Sequence, residues 1–148
     1  MPVAPQKFFF PTAEEAEAAF YEALELGDLE LLMRVWANDE EAVCIHPGGE
    51  RLVGIQAIRA SWQEVLANGA LPLRRLRVHT MQNAMSAVHA VVEQLSVNTG
   101  QARHIVHCYA TNVFHSGPFG WRLVLHHASQ APDHSDVDML HDIPDILH

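Results

Sequence analysis

Apolar residues recur at every third or fourth position in the first part of the chain, a pattern that predicts three helices. The segment 12–15 is a capping box that opens the first helix, Gly27 ends that helix, and Asp28 caps the second. The third helix follows Gly54 and stops near Gly69. Their apolar faces comprise Ala16, Ala19, Phe20, Ala23 and Leu24, then Leu29, Leu32, Met33 and Trp36, then Ile55, Ile58, Trp62 and Val65.

Strand signals lie between the second and third helices and again in the second half of the chain. A short apolar run at 42–46 ends in a histidine, reverses at Pro47 and two glycines, and returns to Gly54. From Leu71 onward the pattern predicts four long strands, at about 71–82, 84–97, 102–115 and 120–130. Helices followed by a meander of antiparallel strands predict an α+β fold.

The later strands are apolar on both faces, as at Val91 and Val92 or at Ile105 and Val106. Three helices can cover one face of such a sheet, so the other face needs a cover from outside this chain. A second copy is the simplest cover. We therefore expect a homodimer formed through the outer face of the sheet.

Composition limits the possible partners and location. The chain has 148 residues, enough for one domain, and its net charge of −9 argues against nucleic acid or an anionic membrane as partner. Both cysteines lie inside apolar runs, which gives no sign of a disulfide framework. The sequence shows no signal peptide or membrane span, so we expect a cytoplasmic protein.

The two ends differ in character from the stretch between them. Three prolines predict an irregular arm over residues 1–11, and residues 131–148 mix five aspartates with histidines and prolines, as in a flexible acidic tail. The domain itself is expected at 12–130. Neither H-x-x-x-H nor C-x-x-C spacing occurs, so we predict no metal and no cofactor.

Several short segments, in this order and spacing, resemble a known family. They are 26–28 (LGD), 36–39 (WAND), 46–49 (HPGG), Gly54 before Ile58, Ser61-Trp62, and 121–129 (WRLVLHHAS). Together they resemble a SnoaL-like domain of the nuclear transport factor two-like superfamily, which also holds ketosteroid isomerases and the association domain of calcium/calmodulin-dependent kinase. The resemblance covers residues 12–130.

The resemblance implies a cone. Its sheet is strongly curved, mixed and mostly antiparallel, and three N-terminal helices pack in the concave face and leave a pocket at the open end. Homodimers through the outer sheet face are common in this superfamily, which agrees with the two-sided strands.

Comparison with the isomerases implies that part of their chemistry is missing. Their general-base aspartate falls on His46, and their oxyanion tyrosine falls on Phe20, with Tyr21 one residue away. Their protonated aspartate falls near Ala110 or Asn112. The base position therefore keeps a titratable group while both oxyanion donors are lost, so steroid isomerisation by that mechanism is not expected.

The candidate catalytic residues are His46, His127 and Asn112. A histidine can accept a proton near neutral pH, although a strand-end histidine can equally be structural. His127 shares strand parity with Trp121 and Ser129, and the kinase association domain has a histidine and a serine at the equivalents of His127 and Ser129. We therefore expect His127, rather than His126, to face the pocket.

The pocket walls are expected to include Phe20, Trp36, Trp62, Trp121 and Ser129, although such aromatic residues are more often plain core. A buried Glu93 would need a partner, which His89 or His107 could supply.

Three functions are compatible with these residues. The first is a cofactor-independent isomerase, cyclase or hydrolase acting on a small apolar molecule with a histidine base. The second is a non-catalytic pocket protein that binds a small apolar or carboxylic molecule. The third is a dimeric association or scaffold domain. Fold alone does not decide between them.

Overall fold

The computed structural model describes residues 9–132 and has nine helices and strands in that range. Three helices and two short strands come first: α1 (Ala13–Leu26), α2 (Leu29–Val35), β1 (Val43–Ile45), β2 (Arg51–Val53) and α3 (Ile55–Ala67). Four long strands follow: β3 (Arg74–Gln82), β4 (Ser86–Thr99), β5 (Ala102–Gly117) and β6 (Gly120–Gln130). The predicted α+β class and the type of every predicted element are confirmed.

All six strands form one mixed sheet in the order β2-β1-β6-β5-β4-β3. The strands β3 to β6 form the expected antiparallel meander, while β1 lies parallel to β6 and pairs with β2 as a hairpin. The helices lie on one face, which we call the inner face. The predicted arm and tail, at 1–11 and 131–148, lie mostly outside the described residues.

The first two helices begin and end where the capping signals place them. The hydroxyl of Thr12 accepts a hydrogen bond from the amide of Glu15, and Gly27 closes α1 in the left-handed conformation at φ 68°. The carboxylate of Asp28 then accepts from the amide of Leu31 and starts α2. These contacts satisfy amides and carbonyls at the helix ends that have no partners within the helix.

The turn after β1 positions His46 at the rim of the sheet. The amide of Gly49 donates to the carbonyl of His46 over 2.8 Å, and Gly48 at φ 71° allows this tight reversal. Cys44 lies opposite His126 in the parallel pairing of β1 with β6. His46 therefore lies one residue beyond the strand, beside the inner-face residues of β6.

A β-bulge in β6 reverses the orientation expected for two predicted site residues. Val113 pairs with Leu125 while Phe114 pairs with Leu123, so Val124 is an extra residue. Side chains after a bulge exchange faces relative to a regular strand. The prediction that His127 faces inward is therefore wrong, and Ser129, predicted to line the pocket, also points outward: both are exposed, whereas His126 and Ala128 are buried.

The outer face carries an uninterrupted apolar row. One residue from each strand contributes at the same register, and the row reads Met81, Val88, Val113, Leu125, Val43 and Val53 across the sheet. Its four central members are partly buried, and the two at the ends are more than half exposed. These six residues form part of the second apolar face that the strand pattern predicts.

The chain before α1 joins the fold at a glycine. Phe10 is buried and pairs with Gly120, and the amide of Trp121 donates to the carbonyl of Phe10 over 2.8 Å. Gly120 has φ 87°, and a Cβ built there would lie 2.6 Å from the Phe10 carbonyl oxygen. Only glycine fits this approach.

A positive φ at a residue other than glycine costs about 1–3 kcal/mol. Gly120→Ala should destabilise the protein by more than this strain alone, because the added Cβ also clashes with the Phe10 backbone. Gly100→Ala is the matched control, because Gly100 also has a positive φ (63°) but no atom within 4 Å of the added Cβ. Urea unfolding of the two variants measures the difference. Equal losses of stability would show that the Phe10 contact does not constrain this position.

Candidate functional site

A network of buried polar side chains joins α1 to the inner face of the sheet. At its first centre the Glu17 carboxylate accepts from three groups: His89 Nδ1 at 2.9 Å, Arg75 Nη1 at 3.2 Å and Asn112 Nδ2 at 3.0 Å. A buried carboxylate is expensive unless its oxygens are hydrogen-bonded and its charge is compensated. The three donors and the arginine charge meet both needs.

The second centre of the network is the Tyr21 hydroxyl. It donates to Glu93 Oε2 over 2.6 Å and accepts from Asn112 Nδ2 over 3.1 Å. Burial raises the pKa of Glu93 to about 7, and the hydrogen bond from Tyr21 partly offsets that rise. Burial and the neighbouring Glu93 raise the pKa of Tyr21 well above its usual value, so its proton is firmly held.

Asn112 fixes the tautomer of His126. The amide nitrogen of Asn112 donates to Glu17 and Tyr21, so its oxygen is the acceptor for His126 Nδ1 at 2.6 Å. His126 therefore carries its proton on Nδ1, and its Nε2 can only accept. Burial, with smaller contributions from the nearby His46 and His127, lowers the pKa of His126 to about 3, so it is neutral at neutral pH.

His46 lies at the edge of this network and reaches solvent. Its Nε2 is 3.1 Å from the Ser61 hydroxyl, and that hydroxyl donates to the carbonyl of Ile58 over 2.8 Å. The 2.8 Å contact of the serine hydroxyl with Ile58 favours Nε2 as the donor of the pair. Burial lowers the pKa of His46, so the ring is neutral at neutral pH, and in the favoured tautomer its Nδ1 is unprotonated.

Cys44 does not form a reactive thiolate with this histidine. Its sulfur lies 3.8 Å from His46 Nε2, but the residue is fully buried and burial raises the pKa of its thiol to about 12. A thiol held neutral is a poor nucleophile. The burial of Cys44 therefore argues against a cysteine–histidine mechanism at the site.

Aromatic rings pack tightly around the two histidines. The Trp62 ring contacts His46 edge-on at a centroid distance of 4.6 Å and lies 5.9 Å from His126. Phe20 contacts Trp62 at 5.8 Å and His126 at 5.0 Å. These side chains form one cluster between α1, α3 and the β1–β6 pair, with His46 as its solvent-accessible member.

The structure brings together some predicted site residues and separates others. The polar network includes Asn112. The aromatic cluster around it includes His46, Phe20 and Trp62. Trp121 lies toward the other end of β6, beside Phe10. Phe20, Trp36 and Trp62 are all at most 2% exposed, so they are packed core residues here.

Sequence reasoning overlooked part of this network. Glu17 was not considered, yet it is a charged residue inside the apolar stripe of α1, one turn before Tyr21, and that is a readable signal. The expected pairing of Glu93 with His89 or His107 is wrong: Glu93 pairs with Tyr21, and His89 pairs with Glu17. Paired charges in different elements cannot be matched without the fold.

Two negative findings apply to residues 9–132. Within them, no group of three or more histidine, cysteine or acidic side chains is arranged to hold a metal ion. None of the three helices described here is long and apolar enough to cross a membrane.

Comparison with solved structures places this cone among known proteins. A protein of Thiobacillus denitrificans, provisionally named a calcium/calmodulin-dependent protein kinase type II association domain, is 39% identical, with a TM-score of 0.77 over 84% of this chain and 99% of its own. A Streptomyces avermitilis protein, provisionally named a dehydratase of the NTF2-like family, is 28% identical, with a TM-score of 0.70 over 78% and 91% of the two chains. A ketosteroid isomerase-like protein from Erwinia carotovora atroseptica shares the fold at 14% identity, with a TM-score of 0.65 over 80% of this chain and 93% of its own.

The fold is that of NTF2-like and cystatin-like proteins. The sequence also matches the SnoaL-like domain family over residues 13–133. The chain therefore belongs to the SnoaL-like domain family, and the predicted resemblance is confirmed. The comparison with curated proteins yields no match.

The raised pKa of Glu93 should make stability depend on pH. Because the folded pKa of about 7 exceeds the ordinary value of 4.5, the folded state holds this proton more tightly than the unfolded state. The stability contributed by the protonated group is then full below about pH 4.5 and is lost as pH rises toward 7, a loss of about 3 kcal/mol at 1.4 kcal/mol per pKa unit.

Glu93→Gln imitates the protonated acid and should therefore gain stability relative to wild type over this pH window, reaching a plateau above about pH 7. Denaturant unfolding across the pH range measures the difference, in which the titration of His126 cancels. Glu64→Gln, at an exposed carboxyl of α3, is the control. A difference between Glu93→Gln and wild type that does not change with pH would contradict the assignment.

Proposed function

We propose that this protein acts on a small, largely apolar molecule at the rim of the cone, with His46 as the group that accepts and returns a proton. The observation that carries the proposal is the hydrogen bonding of His46: Nε2 lies 3.1 Å from the Ser61 hydroxyl, which favours a proton on Nε2, and Nδ1 makes no hydrogen bond within residues 9–132. An unprotonated nitrogen at a solvent-accessible position is what a general base requires.

The environment of His46 suits this task. Burial lowers its pKa, so the ring is neutral at neutral pH and is available as a base rather than as an acid. The buried Trp62 ring packs against the imidazole at a centroid distance of 4.6 Å and gives it an apolar neighbour. The solved relatives named as a dehydratase and as isomerase-like support proton transfer at carbon as the reaction class.

A base alone supplies only about 10²–10⁴-fold of rate, so a donor for the developing negative charge is also needed. Asn112 and His127, the residues expected for this role, are poorly placed, because the Asn112 amide is occupied by Glu17 and Tyr21 and His127 points outward. The indole Nε1–H of Trp62 has no oxygen or nitrogen acceptor within residues 9–132, but it is buried beside the Cys44 thiol, so it could serve as this donor only after the Trp62 ring moves.

His46→Gln should lower proton–deuterium exchange at carbon in a responsive substrate by about 10²–10⁴-fold, because glutamine keeps a hydrogen bond to Ser61 but cannot take up a proton. The assay is proton NMR of a panel of apolar ketones, esters and carboxylic acids in deuterated buffer. His79→Gln, at an exposed histidine of β3, is the matched control. Equal exchange by wild type and His46→Gln would contradict the base assignment.

A second function, as a homodimeric association domain, is favoured by the apolar row on the outer face. Six apolar residues at one register would lose contact with water if two copies paired through their sheets, at about 25 cal/mol for each Å² of apolar surface buried. The Thiobacillus denitrificans relative, provisionally named an association domain, supports this assembly. A cytoplasmic location stays a prediction from the two free cysteines.

Val113→Glu should dissociate the dimer and lower its stability, because it places a charge at the centre of the apolar row. Ala60→Glu adds the same charge at an exposed position of α3, on the helix side of the molecule, and should leave the dimer intact. Sedimentation velocity at micromolar concentration measures both. A strictly monomeric wild-type protein would exclude this assembly.

A further inference from the structure

One edge of β5 is left open beside the point where the chain leaves β6. β5 pairs with β4 along 102–115, but its pairing with β6 begins only at Cys108, which lies opposite Gln130. One further hydrogen bond runs from the amide of Ala131 to the carbonyl of His107 over 2.8 Å. Among residues 9–132, no strand pairs with 102–106 on this side of β5.

The backbone groups along this edge point in a known direction. Successive residues of an antiparallel strand point their N–H and C=O groups to opposite sides, and the carbonyl of His107 points toward β6. The same groups of Ile105 and Arg103 therefore point toward the open side, whereas those of Val106 and His104 point toward β4. Such a row of backbone groups is a template for a further strand.

A cavity of about 590 Å³ lies along the same edge. It is lined by residues 104–107 of β5, by Gln94 of β4 and by residues 130–132, where the chain leaves β6. Ile105, a large apolar residue, is 51% exposed there. The cavity therefore offers an added strand both backbone partners and an apolar side chain to cover.

Pro132 is compatible with a continuation of β6 along this edge. Because the amide of Ala131 points to β5, the nitrogen of Pro132 points away from it. A proline at such a position removes no hydrogen bond between strands. In the register that pairs 108 with 130, the next amides to point to β5 belong to Asp133, opposite Ile105, and Ser135, opposite Arg103.

The charges of the sheet and of the segment after Pro132 are opposite. Glu93, on the inner face, is the only carboxylate in the six strands, while arginines occur in β2, β3, β5 and β6. Residues 133–148 contain five aspartates and no lysine or arginine. Arg103 donates to Ser96 Oγ over 2.8 Å and has no carboxylate partner within residues 9–132. In the continued register Asp133 lies diagonally across from Arg103, within reach of an ion pair.

We propose that residues 133–136 of this chain dock as a strand on the open edge of β5 and so continue β6 past Pro132. In this arrangement Asp133 bonds the backbone of Ile105 and pairs with the Arg103 guanidinium, and Ser135 bonds the backbone of Arg103. An edge that its own chain closes is not available to pair with another molecule. The contact lies toward the other end of β5 from Val113, so it is independent of the proposed dimer and of the site at His46.

The test uses the full-length protein and amide hydrogen exchange followed by NMR. Ser135→Pro removes an amide that points to β5, so it should speed exchange at the Arg103 amide by about tenfold or more. His134→Pro is the matched control, because its nitrogen points away from β5 and exchange at Arg103 should stay slow. The amide of Val106 points to β4 and should stay protected in every variant, which establishes that the domain is folded.

The contribution of charge is measured separately. Asp133→Asn should speed exchange at the Arg103 amide by about two- to fivefold, the effect of losing one exposed ion pair. High salt should act in the same direction on the wild-type protein. Asp145→Asn, at an aspartate beyond Pro144, is the control and should have no effect. Equal exchange in Asp133→Asn and Asp145→Asn would contradict the pairing with Arg103.

Three results would overturn the docking itself. The first is exchange at the Arg103 amide that is as fast in the wild type as in Ser135→Pro, and the second is equally fast exchange in Ser135→Pro and His134→Pro. The third is slow exchange restored at Arg103 when nitrogen-15-labelled Ser135→Pro is mixed with unlabelled wild type, since that would assign the edge to the same segment of a second copy.

Discussion

The hydrogen bonds of Asn112 are the interactions on which the rest of this structure depends. One buried amide donates to Glu17 and Tyr21 of α1 and accepts from His126 of β6. Each of these groups would cost about 1–3 kcal/mol if it were left buried without a partner. Asn112 therefore ties α1 to β5 and β6, and a shift of α1 against the sheet would break several bonds at once.

This arrangement also divides the chemistry of the inner face. Tyr21, Glu93 and His126 are buried, and each has a specific hydrogen-bond partner. Burial raises the pKa of Tyr21 and Glu93 and lowers that of His126, so burial disfavours the charged form of all three groups. His46 has one nitrogen bonded to Ser61, is less buried and reaches solvent. We infer that the buried network acts as a support and that His46 is the member that would exchange a proton with a ligand.

Local patterns were sufficient for most of the fold. Helix bounds followed from Thr12, Gly27 and Asp28, whose side chains or backbone make the capping contacts that their residue types favour.

The site was less predictable. The bulge at Val124 has no signature in its residue type, yet it decides that His126 rather than His127 faces inward, and counting alternate residues from Trp121 gives the wrong answer. The partners of Glu93 and His89 depend on which elements meet, which a single sequence does not contain.

The most direct test of this account is the protonation state of the two histidines, read by long-range proton–nitrogen NMR. We predict that at neutral pH His46 is neutral with its proton on Nε2 and His126 is neutral with its proton on Nδ1, and that His126 stays neutral down to about pH 5, well above its pKa of about 3. The signals are assigned with His46→Gln and His126→Gln. A positively charged His46 at neutral pH, or a His46 proton on Nδ1, would contradict the account.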